Sequence, residues 1–256
     1  MARQWALLLV AVQFLTRIPM PALKDFQPDW TARAARYFPL VGAGVGLVSA
    51  GVLGLASLVW AGPLPALLAV AAGVLVTGAF HEDGLADAFD GLGGGRTRER
   101  RLEIMKDSRI GAFGVLGLGL SLAIKIAALD QAPVWLAMLA LIAANGAGRG
   151  AAVLAMGAFP YAGDRAWAKV KPVADGMTPT ETLIASGFAL LSLAPLAFAA
   201  PLATGVALVV GGAAAGVMAI MARRLIGGWV GDTLGAVEQV FEAAFLLAFA
   251  GVLAVA

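Results

Sequence analysis

Long apolar runs constrain what this chain can fold into more than any other feature of the sequence. A membrane-spanning helix needs about 20 predominantly apolar residues. From Phe38 onward, runs of about that length follow one another at about 38–60, 64–80, 112–129, 133–156, 181–199, 202–222 and 237–255. The sequence therefore predicts an all-α polytopic integral membrane protein, a helical bundle with about seven transmembrane helices.

Composition excludes several other classes. The chain is 61% hydrophobic and 13% charged, whereas about a quarter of the residues of a soluble domain are charged. Cysteine is absent, which excludes disulfides and thiol catalysis. The single histidine, His81, excludes any site that needs two imidazoles. A net charge of +2 is too small to indicate nucleic acid as a partner.

The N-terminal region leaves alternatives open. An apolar run from Trp5 to Leu15 follows Arg3, and it is shorter than a typical spanning helix. We favour a short N-terminal helix, interfacial or spanning, over a cleaved signal peptide. No linker is long enough to separate two domains, so residues 1–256 are predicted to form one transmembrane catalytic domain.

The distribution of basic residues predicts the orientation of the chain in the membrane. Nearly all Lys and Arg lie in charged segments near 17–37, 81–111, 157–180 and 223–236, while the connections AGPLP, DQAP and AAP are almost uncharged. Because Lys and Arg concentrate in cytoplasmic loops, we expect all four charged segments to be active-site segments on the cytoplasmic side.

The acidic sequence HEDGLADAFDG predicts a metal site. On a helix, Asp83, Asp87 and Asp90 share one face and Glu82 points elsewhere. Three carboxylates on one stripe repel each other unless a cation joins them, and oxygen ligands select Mg²⁺ or Mn²⁺. The alternative is a solvated acidic helix start.

Basic residues after this helix are candidates for binding phosphate. Arg96 follows a glycine run, and Lys106, Asp107, Ser108 and Arg109 precede the next span. Guanidinium groups pair with phosphate oxygens, although membrane orientation alone also explains several of these cations. Asp107 is a candidate for a second metal or diphosphate contact.

Polar residues in later spans point to the same side. Asn145 and Arg149 lie within one span, where a charge needs either a phosphate or an acidic partner. Lys125 is predicted to reach the outer boundary near Asp130 by snorkelling.

The start of the last span adds three acidic candidates, Asp232, Glu238 and Glu242. Asp232 and Glu238 are candidates to join the metal or to position a hydroxyl, and Glu242 is the weakest of the three.

Six motifs together resemble a known family. They are FLTRIPMP, YFPLVGAGVG, HEDGLADAFDG, EIMKDSRIGAFG, the stretch from Arg149 to FPYA, and GDTLGA. Their order is similar to that in the adenosylcobinamide-GDP ribazoletransferases, also called cobalamin-5′-phosphate synthases. The resemblance covers about Phe14 to Glu242, and its most specific part is DGLADAFDG followed by KDSRIG.

The resemblance implies a late step of vitamin B12 assembly in a bacterial inner membrane. A ribose hydroxyl of α-ribazole or its 5′-phosphate attacks the phosphoryl group on the arm of adenosylcobinamide-GDP, and GMP leaves. Mg²⁺ would be held by Asp83, Asp87 and Asp90 ahead of Glu82, with Asp107 or Asp232 in a second set.

In the same interpretation, phosphates would be held by Arg96, Lys106, Arg109 and Arg149. His81 is either a base or, more commonly for a histidine at a helix start, a hydrogen-bonding or capping group. The lipid bilayer is an expected partner, and a homo-oligomer is compatible with the sequence.

Two rival functions remain at the sequence level. A CDP-alcohol phosphotransferase also clusters aspartates, but its DxxDGxxAR core differs from DGLADAFDG. A cation-coupled transporter would use the carboxylates as an ion site, but we find no repeated halves.

Overall fold

The computed structural model describes residues 2–22, 27, 29–163 and 177–255, and most of these residues are helical. The helices are α1 Ala2–Leu15, α2 Trp30–Ala34, α3 Phe38–Ala56, α4 Leu64–Thr77, α5 Phe80–Gly94, α6 Arg98–Ile104, α7 Ala112–Asp130, α8 Val134–Ala158, α9 Pro179–Ala199, α10 Pro201–Ile226 and α11 Gly231–Leu253, with a 3₁₀ turn at Ala35–Tyr37. The all-α prediction is confirmed.

Six helical segments in the described residues are long and apolar enough to cross a membrane, or seven if the bent pair α4–α5 is one span. The helices lie close to the predicted runs, with one exception. The predicted span 64–80 ends at Thr77, so α4 is about 21 Å long and falls short of an apolar layer of about 30 Å.

The chain turns sharply after α4. Gly78 and Ala79 both have left-handed backbone conformations, with φ of 67° and 59°, and α5 leaves α4 at an angle of 91°. A left-handed residue cannot continue a right-handed helix. The acidic sequence therefore begins a new helix and does not extend the preceding span.

Helices α8 and α11 form the centre of the bundle. Helix α8 packs against α3, α9 and α11, and α11 also packs against α5, α7 and α10. Small residues permit this close packing, as expected between membrane helices. At Gly46 of α3, for example, an added Cβ would lie 2.7 Å from the Cα of Ile142 in α8.

Helix α1 packs on the bundle beside α3. The rings of Phe14 and Phe38 stack with centroids 5.5 Å apart, and Leu15 is buried. With 14 residues, α1 is about 21 Å long, which agrees with the expected short N-terminal helix. Within the predicted charged segments, residues 23–26, 28 and 164–176 lie outside the described residues.

Candidate active site

Helix α5 presents two contrasting faces. His81 and Glu82 are buried, whereas Asp83 is exposed and Asp87 is half-buried. Glu82 thus points away from the aspartates, as the helical spacing predicts. The exposed carboxylates and the buried pair belong to two different environments on one helix.

Asp90 lies on the same helical stripe as Asp83, but the start of α7 covers it. Its Oδ2 accepts a hydrogen bond from the N–H of Gly111 at 2.6 Å, and its Oδ1 accepts one from the N–H of Gly114 at 2.8 Å. A carboxylate at a helix start satisfies N–H groups that have no partner within the helix. Asp90 therefore anchors α7 to α5, with both oxygens engaged.

Close approach of α11 places Asp232 beside α5. A Cβ added at Gly84 would lie 3.1 Å from the Asp232 carbonyl oxygen, and one added at Gly235 would lie 3.0 Å from the His81 carbonyl oxygen. The crossing of the two helices thus depends on glycine on both sides. It brings Asp232, which is half-buried, next to the helix that carries Asp83 and Asp87.

Carboxylate oxygens are suitable ligands for a hard cation, although these residues do not form a complete set of protein ligands. Among the described residues, no group of three or more His, Asp or Glu side chains is arranged to hold a metal ion. Magnesium commonly takes one or two carboxylates and completes its shell with waters and substrate phosphates. Asp83 and Asp87, one turn apart and not fully buried, fit that pattern.

The arginines after α5 divide into two groups. Arg98 donates to the carbonyl oxygens of Ile226 at 2.8 Å and Ala162 at 2.6 Å, and Arg101 donates to that of Leu225 at 3.3 Å. These two side chains therefore satisfy the carbonyl groups at the end of α10. Arg98 is nevertheless exposed, as are Arg96, Arg100, Lys106 and Arg109.

Asp107 and Arg109 pair with each other in the loop before α7. Arg109 Nη2 lies 2.6 Å from Asp107 Oδ2, and the Arg109 backbone N–H donates to Oδ1 at 3.1 Å. The side-chain hydrogen bond, followed by the backbone one, lowers the pKa of Asp107 to about 2. Asp107 is thus ionised at neutral pH, while Arg109 and the neighbouring Ser108 remain exposed.

A second set of charged side chains lies inside the bundle. Arg149 Nη1 is 2.7 Å from Glu238 Oε1 and 3.5 Å from Glu242 Oε1. The 2.7 Å contact is an ion pair without hydrogen-bond alignment, because Glu238 Oε1 has no hydrogen-bond partner. Arg149 Nη1 also donates a hydrogen bond to Asn145 Oδ1 at 3.1 Å. Of the two partners expected for Arg149, the acidic one is present.

Lys125 belongs to this buried set. Its Nζ lies 2.5 Å from Glu242 Oε2 and 2.6 Å from Gln239 Oε1, and the residue is 4% exposed. The prediction that Lys125 snorkels to the outer boundary is therefore wrong. A carboxylate and an amide oxygen within the bundle accept hydrogen bonds from the ammonium group instead.

His81 joins the buried set to the start of α5. Its Nδ1 lies 3.4 Å from Arg149 Nη2. Because a guanidinium group only donates, we assign Nδ1 as the acceptor and Nε2 as the protonated nitrogen. This geometry agrees better with the hydrogen-bonding role weighed for His81 than with the role of a base.

A small cavity of about 30 Å³ lies between residues of this buried set. It has room for about two water molecules. Its polar lining consists of Ser49, Thr77, Glu82, Lys125, Asn145, Arg149, Gln239 and Glu242. Arg149, Asn145 and Glu238 are thus placed in the buried set and away from the exposed carboxylates.

Sequence reasoning missed Gln239 and underrated Glu242 and Lys125. All three are polar residues in otherwise apolar helices, which is a signal of function or of a buried partner. Their pairing could not be inferred, because Lys125 and Glu242 lie 117 positions apart.

Comparison with known proteins agrees with these observations. The sequence model of the cobalamin-5-phosphate synthase family matches residues 7–250. A protein of Leptothrix cholodnii named adenosylcobinamide-GDP ribazoletransferase is 44% identical over 257 residues, covering 96% of both chains. Proteins of the same name from Shewanella frigidimarina and Ralstonia nicotianae are 43% and 44% identical, over 94% and 91% of this chain and 92% and 90% of theirs. No solved structure matches. The chain is therefore an enzyme of the cobalamin-5-phosphate synthase family.

Proposed function

We propose that this enzyme joins α-ribazole, or its 5′-phosphate, to adenosylcobinamide-GDP and releases GMP. The support is the name shared by relatives that match nearly the whole chain, together with the exposed carboxylates of α5 beside exposed cations. A ribose hydroxyl would form a bond to the phosphorus on the corrinoid arm. The bond from that phosphorus to the oxygen of GMP would break, and the hydroxyl proton would pass to a base.

In this reaction, side chains at the surface of the bundle would bind the phosphates and the metal. Arg96, Lys106 and Arg109 would bind diphosphate oxygens, since phosphoryl transfer depends chiefly on positioning and charge neutralisation. Asp83 and Asp87 would hold Mg²⁺, or Mn²⁺ in its place, with Asp232 beside them. When bound, the metal would neutralise charge on the transferring group. Ser108 would add a hydroxyl donor to a phosphate.

The orientation in the membrane follows from the same assignment. Nucleotide-activated substrates and GMP are cytosolic, so we propose that the face with α5, α6 and the start of α7 is cytoplasmic, in a bacterial inner membrane. The distribution of Lys and Arg supports this orientation.

The decisive measurement is GMP release by purified protein in proteoliposomes with α-ribazole, adenosylcobinamide-GDP and Mg²⁺. We expect Asp83→Asn to lower kcat/KM by at least about a hundredfold, in the range found when a group that stabilises transition-state charge is removed. We expect no activity after chelation of the metal.

Glu103→Gln is the matched control, because Glu103 is an exposed carboxylate of α6 that pairs with Arg100. It should retain normal activity. GMP release that persists in Asp83→Asn would refute the assigned site. Release of CMP from a CDP-alcohol, without GMP release, would favour the lipid enzyme.

Substrate uptake that is unaffected by Asp87→Asn would count against both enzymes. The buried set also bears on the transporter alternative. Its cations, Lys125 and Arg149, are paired with carboxylates of α11, which favours a fixed structural network over a site that exchanges ions.

A further inference from the structure

We propose that Lys125 and Gln239 are positioning residues, which act through Glu82 to hold the exposed carboxylates of α5 in place. Neither residue lies on the exposed face of α5, and both are at least 96% buried, with exposures of 4% and 2%. The proposal rests on the proposed function only for its effect on activity, since the position of α5 can be measured independently.

The first step is the orientation of the Gln239 amide. An ammonium group can only donate hydrogen bonds. Lys125 Nζ lies 2.6 Å from Gln239 Oε1, so the amide oxygen must face Lys125 and the amide nitrogen must face the opposite way. Lys125 thereby selects one of the two orientations of this side chain.

The orientation of the amide in turn determines which group faces Glu82 on α5. Gln239 Nε2 donates to Glu82 Oε1 at 3.0 Å and to Glu238 Oε2 at 2.9 Å. An ionised carboxylate can only accept, so a reversed amide would present its oxygen to the acceptor oxygen of Glu82. The correctly oriented amide therefore holds Glu82 toward the interior.

The third step concerns what Glu82 controls. Glu82 directly precedes Asp83, and its other oxygen, Oε2, has no hydrogen-bond partner among the described side chains. The bond from Gln239 thus restrains this buried carboxylate through its other oxygen, Oε1. Holding Glu82 inward fixes the rotation of α5 and directs Asp83 outward, on the other side of the helix.

The position of the network explains why such a restraint is needed. The break at Gly78 and Ala79 uncouples α5 from α4, and α4 and α5 make few contacts with each other compared with α5 and α11. The backbone crossing at Gly84 and Gly235 brings α5 close to α11. Because neither glycine has a side chain to interlock, the hydrogen bond between Gln239 and Glu82 adds a directional restraint on the rotation of α5 at its N-terminal end.

The activity experiment compares Gln239→Met with the native protein. Methionine has a similar volume and no charge, and it removes all three hydrogen bonds of the Gln239 side chain, to Lys125, Glu82 and Glu238. We expect the Mg²⁺ concentration for half-maximal GMP release to rise at least about tenfold, as is typical when a residue that orients a metal ligand is lost. The measurement is a Mg²⁺ titration at saturating substrate, with kcat recorded separately.

Arg36→Met is the control for a general loss of stability. Arg36 forms a buried ion pair with Glu181, between the 3₁₀ turn and α9, and it donates hydrogen bonds to Arg33, Gln4 and Glu181, which lie outside α5. It should lower the melting temperature and leave the Mg²⁺ requirement unchanged. Should Gln239→Met fail to fold, Gln239→Asn, which is one methylene shorter, replaces it.

A double-mutant cycle tests the order of the relay. Once Lys125→Met has released the amide, Gln239→Met should add less than a further twofold change in the Mg²⁺ requirement. Independent sites would show multiplied effects. Multiplied effects on the Mg²⁺ requirement would overturn the proposal. An equal rise in the Mg²⁺ requirement of Arg36→Met would overturn it as well.

The position of α5 is measured without any substrate. The chain has no cysteine, so spin labels can be attached through Gly44→Cys on α3 and Gly94→Cys on α5. Gly44 has open space, and the nearest atom to an added Cβ at Gly94 is 3.8 Å away. We expect the distance distribution between the labels to shift or broaden in Gln239→Met and not in Arg36→Met.

An unchanged distribution in Gln239→Met would also overturn the proposal. A native protein that releases no GMP, while the distribution still responds to Gln239→Met, would refute the proposed function and leave the positioning role supported.

Discussion

At the scale of single residues, neighbours decide what each carboxylate does. Asp83 and Asp90 occupy the same stripe of α5, yet Asp83 is exposed and Asp90 accepts two backbone hydrogen bonds from the start of α7. Glu82, next to Asp83, is held in the interior by Gln239. All three carboxylates lie on the same helix, but the residues that surround them differ.

Asp90→Ala should therefore affect stability. Two N–H groups of α7 would lose their acceptor, and removing such a helix-terminal acceptor costs about 1–2 kcal/mol. We expect a lower melting temperature both with and without Mg²⁺, measured in detergent by intrinsic fluorescence. Asp83→Ala should melt close to the native protein. A normal melting temperature for Asp90→Ala would show that its hydrogen bonds to α7 contribute little.

At the scale of elements, the break between α4 and α5 is the main departure from a simple bundle. Gly78 ends α4 in a left-handed conformation, and the Arg17 side chain packs where a Cβ of residue 78 would lie. The Arg17 N–H also donates to the Val76 carbonyl oxygen at 2.8 Å. The segment after α1 thus supports the turn that aims α5.

Gly78→Ala and Gly62→Ala form a matched pair for this turn. Both glycines have positive φ, 67° and 72°, so each alanine should cost about 1–2 kcal/mol. Only residue 78 would also collide with Arg17, since an added Cβ at Gly62 meets open space. Thermal melting should show the larger loss for Gly78→Ala, together with reduced GMP release. Equal losses would mean that Arg17 moves aside freely.

At the scale of the whole molecule, the bundle has two separate sets of charged residues. One set is exposed at one end of the helices, and the other is buried among apolar side chains. The uncharged connection at Gln131 and Ala132, after α7, lies at the opposite end of that helix from α6. Every part of the proposed site lies on the α6 side. The arrangement matches a requirement for substrates from one compartment.

Labelling of single cysteines in the cysteine-free chain tests this orientation. Gln131→Cys and Glu103→Cys place exposed thiols beyond opposite ends of α7. In intact spheroplasts, a membrane-impermeant maleimide should label Gln131→Cys, and Glu103→Cys should react only after permeabilisation. Labelling of both in intact spheroplasts would contradict the assigned topology.

The sequence by itself determined the class of this protein and the location of its acidic helix. Long apolar runs and one-sided basic segments are local patterns, and they predicted most helices to within a few residues. The break after Thr77 was missed, because a run of apolar residues looks the same whether it crosses the bilayer or stops within it. The αL turn at Gly78 and Ala79 decides between those outcomes.

Only the tertiary structure decided which charges meet. Arg149 pairs with Glu238, and Lys125 pairs with Glu242 across 117 positions, while Arg98 and Arg101 donate to carbonyl oxygens at the end of α10. The physical reason is desolvation. In an apolar interior, each charge must find a partner wherever packing places one, and packing depends on the whole bundle.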